Sequence, residues 1–489
     1  MSLAMVRLPR SRPATERRPP TTSRESAVIQ RHVALVSSDM ISRTRRLAMP
    51  VIIALVSVGC GASAPATSPS QTAPLSSGST ATPAPTGRTS ASSQLPNGAT
   101  SPTVAEIARL QAAVQANPSD PVSQRDLGFA LLQRVRETAD PTLYAPAAAA
   151  FEAARTLDPG DALVLVGIGG LQLGKHQFAE ALVSGQQAIA MSPTLVPAHA
   201  VLVDALVELG RYDEADVAAQ EMFGLRANLP TLTRVSYLAE LHGQLGTALS
   251  AMRMAAQSPG LAPENTAFVD ALLGNLLVYS GDTIGAAAAY QDALAIVPAH
   301  APSLAGQGRL AVAAGMLDEA IRLFKRASDI LPLPEYVIAL GDAQAAAGRT
   351  EDAVRSFKLA HAEIQIFQAT GVVVDLDLAL FEADHGDPAR ALDFATTAYA
   401  ATPTVRAADA RGWALHRLGR DKEAKRYADE ALRLGSRDPL FRYHAGAIAA
   451  ALGDSKVARR DLDLALAKDA GFSATGAAEA RRILASLPQ

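Results

Sequence analysis

The feature that most constrains this chain is a stride. Gly274, Gly281, Ala286, Tyr290, Ala293 and Pro298 return 34 residues later as Gly308, Gly315, Ala320, Phe324, Ala327 and Pro332. A unit of this length holds two helices, too few to bury an apolar stripe alone, so successive copies must stack into one continuous core. Small residues let the two helices of a hairpin cross closely, and the large residue, Tyr290 or Phe324, fills the space between adjacent hairpins. The pattern describes a surface for binding before it describes any chemistry.

The same pattern extends in both directions. Leu127, Gly128, Ala147, Phe151, Ala154 and Pro159 form one copy, with a longer loop expected around Arg134 to Pro141. Gly169, Ala181, Ala188 and Pro193 form a second, in which Gly185 stands where an aromatic is usual. Leu202 and Gly210 to Ala215 form a third, and Tyr237, Gly246, Ala248 and Ala255 a fourth. Beyond the two quoted copies come Leu340, Gly341, Gly348, Ala353, Phe357 and Ala360, then an expected irregular stretch from His361 to Gly371. Three further copies carry Gly386, Ala391, Ala398 and Pro403, then Gly412, Gly419, Ala424 and Ala431, then Gly446, Gly453, Ala458, Leu462 and Ala465. Ile107, Leu110 and Val114 at helical spacing precede the first copy, and Ala480, Ile483, Leu484 and Leu487 predict a terminal capping helix. These units resemble tetratricopeptide repeats (TPRs). The resemblance implies an all-α fold over residues 104–489: a right-handed superhelical solenoid of about ten hairpins plus the cap.

Composition agrees with helix-on-helix packing. Hydrophobic residues make up 48% of the chain but aromatics only 4%, so the core is built from Ala, Leu and Val. A net charge of -3 provides no basic field for nucleic acid, which leaves proteins as the expected partners.

The single cysteine, Cys60, closes a segment in which Arg43, Arg45 and Arg46 precede an uncharged run from Leu47 to Val58. The run is shorter than the roughly 20 residues a spanning helix needs and reads as the apolar part of an export signal. Ser57-Val58-Gly59-Cys60 is similar to the lipobox of bacterial lipoproteins, with Ser57 in place of the commoner Leu. That resemblance implies cleavage after residues 40–59, a diacylglycerol on Cys60, and placement on the outer face of the cytoplasmic membrane or on an outer membrane. Acyl chains contribute about 0.8 kcal/mol per buried methylene, enough to hold a soluble domain when two or three are present. Residues 1–39 are either an over-extended start or a disordered basic arm. Residues 61–103 are Ser, Thr, Ala, Pro and Gly with Arg88 the only charge, a solvated tether behind Cys60.

No catalytic, cofactor or metal residue is predicted. Gly167 to Gly174 lacks the preceding strand and the third glycine of a phosphate loop, the nine histidines are scattered, and one cysteine permits no Cys-rich zinc site. If the units are TPRs, their first helices line a concave groove. By alignment Tyr237, Asn275, Arg309, Asp342, Arg406, Trp413, His416 and Tyr443 project there, as do Arg125, Phe129 and Phe268. Aromatics and Arg are the residue types that carry binding energy, and Trp413, the only tryptophan, is expected to stand exposed until a partner covers it. Leu163, Val166, Gly170 and Ala200, at early groove positions, argue against a two-repeat carboxylate clamp. The resulting expectation is a membrane-anchored, non-catalytic scaffold that binds a protein or peptide. A cytoplasmic adaptor and an envelope enzyme with a groove-borne site are the alternatives.

Overall fold

Local sequence dictates where each helix starts and stops. Asp120, Asp161, Asp282, Asp387 and Asp438 each accept a hydrogen bond from a backbone N–H in the first turn of the helix that follows. Proline opens many of the first helices, where its missing N–H costs nothing. Between the helices of most hairpins sits a residue with positive φ: Gly210, Gly243, Gly281, Gly315, Gly348, Gly419 and Gly453, with His176 adopting φ 57° at the equivalent place.

The computed structural model describes residues 101–258, 262–468 and 471–488, all within one compact unit, Arg45–Gln489. The expectations for residues 1–39, the signal segment 40–59, Cys60 and the tether therefore lie outside the described residues. A lone helix, α1 (Pro102–Ala116), comes first. Ten hairpins follow. They are α2 (Pro121–Thr138) with α3 (Tyr144–Leu157), α4 (Ala162–Gly174) with α5 (Phe178–Met191), and α6 (Val196–Glu208) with α7 (Tyr212–Leu225). Next are α8 (Leu229–Leu241) with α9 (Leu245–Ala256), α10 (Pro263–Ser280) with α11 (Thr283–Ile296), and α12 (Ala301–Ala313) with α13 (Leu317–Ile330). The last four are α14 (Pro334–Ala346) with α15 (Thr350–Ala369), α16 (Asp375–His385) with α17 (Pro388–Ala401), α18 (Val405–Arg417) with α19 (Asp421–Ala431), and α20 (Pro439–Ala451) with α21 (Ser455–Lys468). The cap α22 (Gly476–Ser486) packs on α20 and α21. Each helix packs on its chain neighbours, and no strand occurs among the described residues. The fold is an all-α solenoid of ten TPR-like hairpins with a terminal cap.

Ten equivalent alanines, Ala147, Ala181, Ala215, Ala248, Ala286, Ala320, Ala353, Ala391, Ala424 and Ala458, are buried, one in each second helix. The aromatic that follows is a plug between hairpins. A Cβ on Gly128 or Gly167 would lie 2.6 or 2.2 Å from the Phe151 ring, and one on Gly274 or Gly306 would lie 2.4 Å from Tyr290. The ring thus touches backbone in its own hairpin and the next, and full burial of such a side chain contributes about 1.5–3 kcal/mol. In the second hairpin, where Gly185 replaces the aromatic, Val201 of the third reaches back to within 2.6 Å of a Cβ built on Gly169.

Two expected irregular stretches are helical. α2 runs through Thr138, so Arg134 to Thr138 are helix and only a short 3-10 turn, Pro141–Leu143, remains of the anticipated loop. α15 extends to Ala369 over 20 residues. The physical reason is burial: Ile364 on the extension, with Ala360 just before it, joins Leu110 of α1 and Leu127, Leu131 and Leu171 of the first two hairpins in one apolar cluster.

That cluster reveals a larger feature, because its members come from the start of the array and from its seventh and eighth hairpins. The solenoid completes a turn and docks on itself. The turn inside the second hairpin meets the linker after the seventh: Val373 N donates to Lys175 O at 3.2 Å, and Val373 O lies 2.7 Å from His176 Nδ1. The third meets the linker after the eighth, where Val405 N donates to the Tyr212 hydroxyl at 3.2 Å. The fourth meets the linker after the ninth, where a Cβ on Gly243 would lie 2.2 Å from Gly435 O. Val203, Leu206 and Tyr212 share a core with Val405, Leu415 and Phe441 across this seam.

Candidate functional site: the inner face of the coil

The first helices, which carry all the groove positions expected from the sequence, face one another around the coil. Closure of the seam determines what those positions become. Trp413 is 1% exposed, which overturns the expectation of an exposed indole. Its ring stacks on His444 with centroids 4.0 Å apart, and Nε1 donates to Asp384 Oδ1 at 2.7 Å. Tyr443 is buried as well, its ring 5.3 Å from Trp413 and 5.6 Å from Phe472. Burial, reinforced by Glu479 of the cap, pushes its hydroxyl far above the ordinary tyrosine range. His416 also stacks on Trp413, with centroids 5.0 Å apart, and pairs with Asp421. These three residues are brought together, but as a packed aromatic core rather than an open surface.

The remaining expected residues are half-buried. Asn275 Oδ1 accepts from the Tyr290 hydroxyl at 2.7 Å and from Arg309 Nη2, so the inter-hairpin plug and the inner face are joined. Arg406 acts across the coil on Glu208 of α6 and Glu335 of α14, and its Nε has no hydrogen-bond partner. Tyr237 is held above its ordinary range by burial, then by the Glu208 charge, with Arg406 opposing. Asp342 Oδ1 lies 3.5 Å from His385 Nε2 without forming a hydrogen bond. Burial first, then the Asp384 charge, push its carboxyl up to about 8. Of the additional positions, Arg125 is committed to Asp126 and Asp161, Phe129 packs edge-on against Phe151, and Phe268 lies under Arg136.

Sequence reasoning missed the acidic character of this interior. Asp204 pairs with Arg234, both nearly inaccessible, and Asp409 with His444 at 2.9 Å. Burial raises the carboxyl of Glu208, and raises Glu240 to about 8 with Asp438 contributing. A signal did exist: single acids at otherwise apolar first-helix positions, as in Val203-Asp204-Ala205 and Ala239-Glu240-Leu241. Two clefts, of about 480 and 420 Å³, open instead beside second helices, one lined by Arg411, Tyr427 and Thr396 and the other by Arg155, Asp158 and Gln187. Among the described residues no group of three His, Cys, Asp or Glu side chains could hold a metal, and no helix is long and apolar enough to cross a membrane.

The geometry defines a TPR-like helical solenoid with an ionisable, self-enclosed inner face. No protein-family model and no curated protein matches the chain. Solved structures do align. A tetratricopeptide repeat protein from Parabacteroides merdae ATCC 43184 is 16% identical over 53% of this chain and 99% of its own, with a TM-score of 0.30. MamA is 20% identical over 33% of this chain and 93% of its own, with a TM-score of 0.27. YrrB, described as a TPR protein with an unusual peptide-binding site, is 21% identical over 40% of this chain and 95% of its own, with a TM-score of 0.25. At these scores the assignment of fold rests on the chain's own hairpins.

Proposed function

We propose that the chain is a non-catalytic protein-interaction scaffold held at the outer face of a membrane by a lipid on Cys60. The observation that carries the interaction role is the inner face. Its first helices place Arg309, Arg406, Glu208 and Asp342 at half-buried positions and Glu335 at an exposed one, with Arg406 Nε and Asp342 Oδ1 lacking a hydrogen-bond partner, although a purely structural face gains more from apolar side chains. Such groups are worth their desolvation where a partner's polar groups complete them. The anchoring half of the proposal rests on the basic, apolar and Cys60 order of the sequence.

The two halves are tested separately. A photo-crosslinking residue at Arg309 or Arg406, introduced in the native envelope, is expected to capture one defined protein. Capture of nothing above the level seen with the same residue at outward-facing Lys325 sinks the interaction reading. Cys60→Ser is expected to move the chain from the membrane to the soluble fraction, and a wild type already soluble sinks the anchor.

A further inference from the structure

We infer that the cleft between the eighth and ninth hairpins is a binding site for a carboxylate, which the guanidinium of Arg411 receives. The cleft has a volume of about 480 Å³, within the range that encloses a small ligand or a side chain. Asp393 and Thr396 of α17 line one side and Glu423 and Tyr427 of α19 the other, with Arg411 and Leu415 contributed by α18. None of the inner-face residues lines it, so the site stands whether or not the inner face binds a partner.

Arg411 is held in place by rings rather than by an opposite charge. Its guanidinium carbon lies 4.6 Å from the centre of the Tyr427 ring and 5.5 Å from that of Tyr399. The two rings meet edge to face at 5.5 Å, and the Tyr399 hydroxyl donates to Glu430 Oε1 at 2.6 Å, which fixes the pair. A guanidinium carries five N–H donors, yet among the described residues Arg411 forms no hydrogen bond or ion pair, and its Nε is buried without an acceptor. The surrounding acids are engaged elsewhere. Glu423 accepts from Arg420, Nε to Oε1 and Nη2 to Oε2, both at 2.8 Å. Glu430 is occupied by Tyr399, Asp429 by Lys425 at 2.6 Å, and Asp409, on the same helix as Arg411, by His444. Asp393 lines the cleft outside ion-pair distance of Arg411. Of the other cations nearby, Arg426 lies over the Tyr427 ring and Arg390 pairs with Glu382 at 3.0 Å.

An unpaired planar fork in a cleft matches a carboxylate, which accepts two parallel N–H bonds, and the Thr396 hydroxyl, which makes no hydrogen bond among the described residues, is a further donor. Charge selects against phosphate. Arg411 and Arg420 balance Asp393 and Glu423, so a dianion meets no surplus of positive charge, whereas a monoanion is compensated by the one cleft cation that has no carboxylate of its own. Leu392, Leu415 and the Tyr427 ring offer apolar surface to the carbon skeleton that carries the carboxylate.

The test titrates the full chain, carrying Cys60→Ser, against benzoate and against acetyl-Gly-Glu-Gly-amide, which distinguish a free carboxylate from an acidic side chain as the source. Benzamide and inorganic phosphate, at slightly alkaline pH, serve as the neutral and dianionic counterparts. Binding is read from the nuclear magnetic resonance linewidths of each probe, a measurement suited to weak ligands. Saturable broadening of a carboxylate probe is expected, with little effect on either counterpart, and the tighter of the two carboxylates identifies the source. Arg411→Lys keeps the charge but loses the fork, and is expected to weaken that binding about tenfold or more. Asp393→Asn leaves the stacked rings untouched and removes a like charge, and is expected to tighten it roughly threefold. Saturation by neither carboxylate overturns the inference, as does benzamide or phosphate binding as tightly as the carboxylates. So does an Arg411→Lys chain that keeps its helical circular dichroism and binds as well as the parent. If Arg411→Lys fails to fold, Asp393→Asn decides: an affinity equal to the parent's overturns the inference.

Discussion

The plug between the fifth and sixth hairpins offers a direct measure of what holds the solenoid together. Tyr290 is fully buried, and its ring would lie 2.4 Å from a Cβ on Gly306, which belongs to the next hairpin. Gly306 sits inside α12, where replacing glycine by alanine in a helix with free space gains about 1 kcal/mol. Here the added methyl meets a ring enclosed by backbone on both sides, and overpacking of that kind costs about 1–3 kcal/mol. Gly306→Ala should therefore be neutral to destabilising by about 2 kcal/mol. Tyr290→Ala removes the plug and should cost about 3–5 kcal/mol as a large-to-small core change. In the double variant the methyl enters the vacated space, so Gly306→Ala should become stabilising. The coupling is expected at about 1–3 kcal/mol, within the range for residues in contact. Hydrogen exchange of the α10–α12 amides gives the local opening free energy for each variant, which suits an array in which each unit touches only its neighbours. Additivity of the two substitutions within about 0.5 kcal/mol would refute the interlocked-plug reasoning.

Three further outcomes are expected. The buried Trp413 indole should emit blue-shifted fluorescence that iodide does not quench, and Trp413→Ala should cost about 3–5 kcal/mol of stability, whereas an exposed emission maximum would contradict the packing described. Because the Asp342 carboxyl is raised to about 8 from 3.8, its contribution is fully present below about pH 3.8 and lost as pH rises through about 8. Asp342→Asn should flatten the corresponding fall in stability, and an unaltered pH profile from thermal melts would count against it. Gly315 has positive φ and open space around its Cβ position, so Gly315→Ala should cost only the left-handed backbone penalty of about 1–2 kcal/mol. Gly243→Ala should cost about 1–3 kcal/mol more and deprotect the linker at residues 432–438, and equal exchange there in both variants would deny the contact with Gly435.

The hairpins were legible because their requirements are local. Alanine at the helix crossing, glycine beneath the ring and glycine at positive φ recur at fixed offsets, and each answers to a contact within one hairpin or the next. The long α15 was missed because repeat alignment treats surplus residues as an insertion, although Ala360, Ile364 and Phe367 already stand at helical spacing. The seam could not be read at all. Its hydrogen bonds join Lys175 and His176 to Val373 and Tyr212 to Val405, each with a backbone atom on at least one side, and the rest is apolar packing, which leaves no pattern in a linear sequence. Trp413 was misjudged for the same reason, since the side chains covering it, His444 and Tyr443, come from a different hairpin and are in turn enclosed by the cap.

Self-docking of the coil is the claim on which the inner-face description depends, and a disulfide tests it at one point. In a Cys60→Ser chain, Lys175→Cys and Val373→Cys place thiols on residues whose backbones share a hydrogen bond at 3.2 Å. Mild oxidation at micromolar concentration is expected to link them within one chain as completely as a control pair introduced at Gln172 and Ser184, whose side chains bond at 2.7 Å within one hairpin. A control pair that oxidises while the two thiols placed across the seam stay free would show that the turns of the solenoid stand apart.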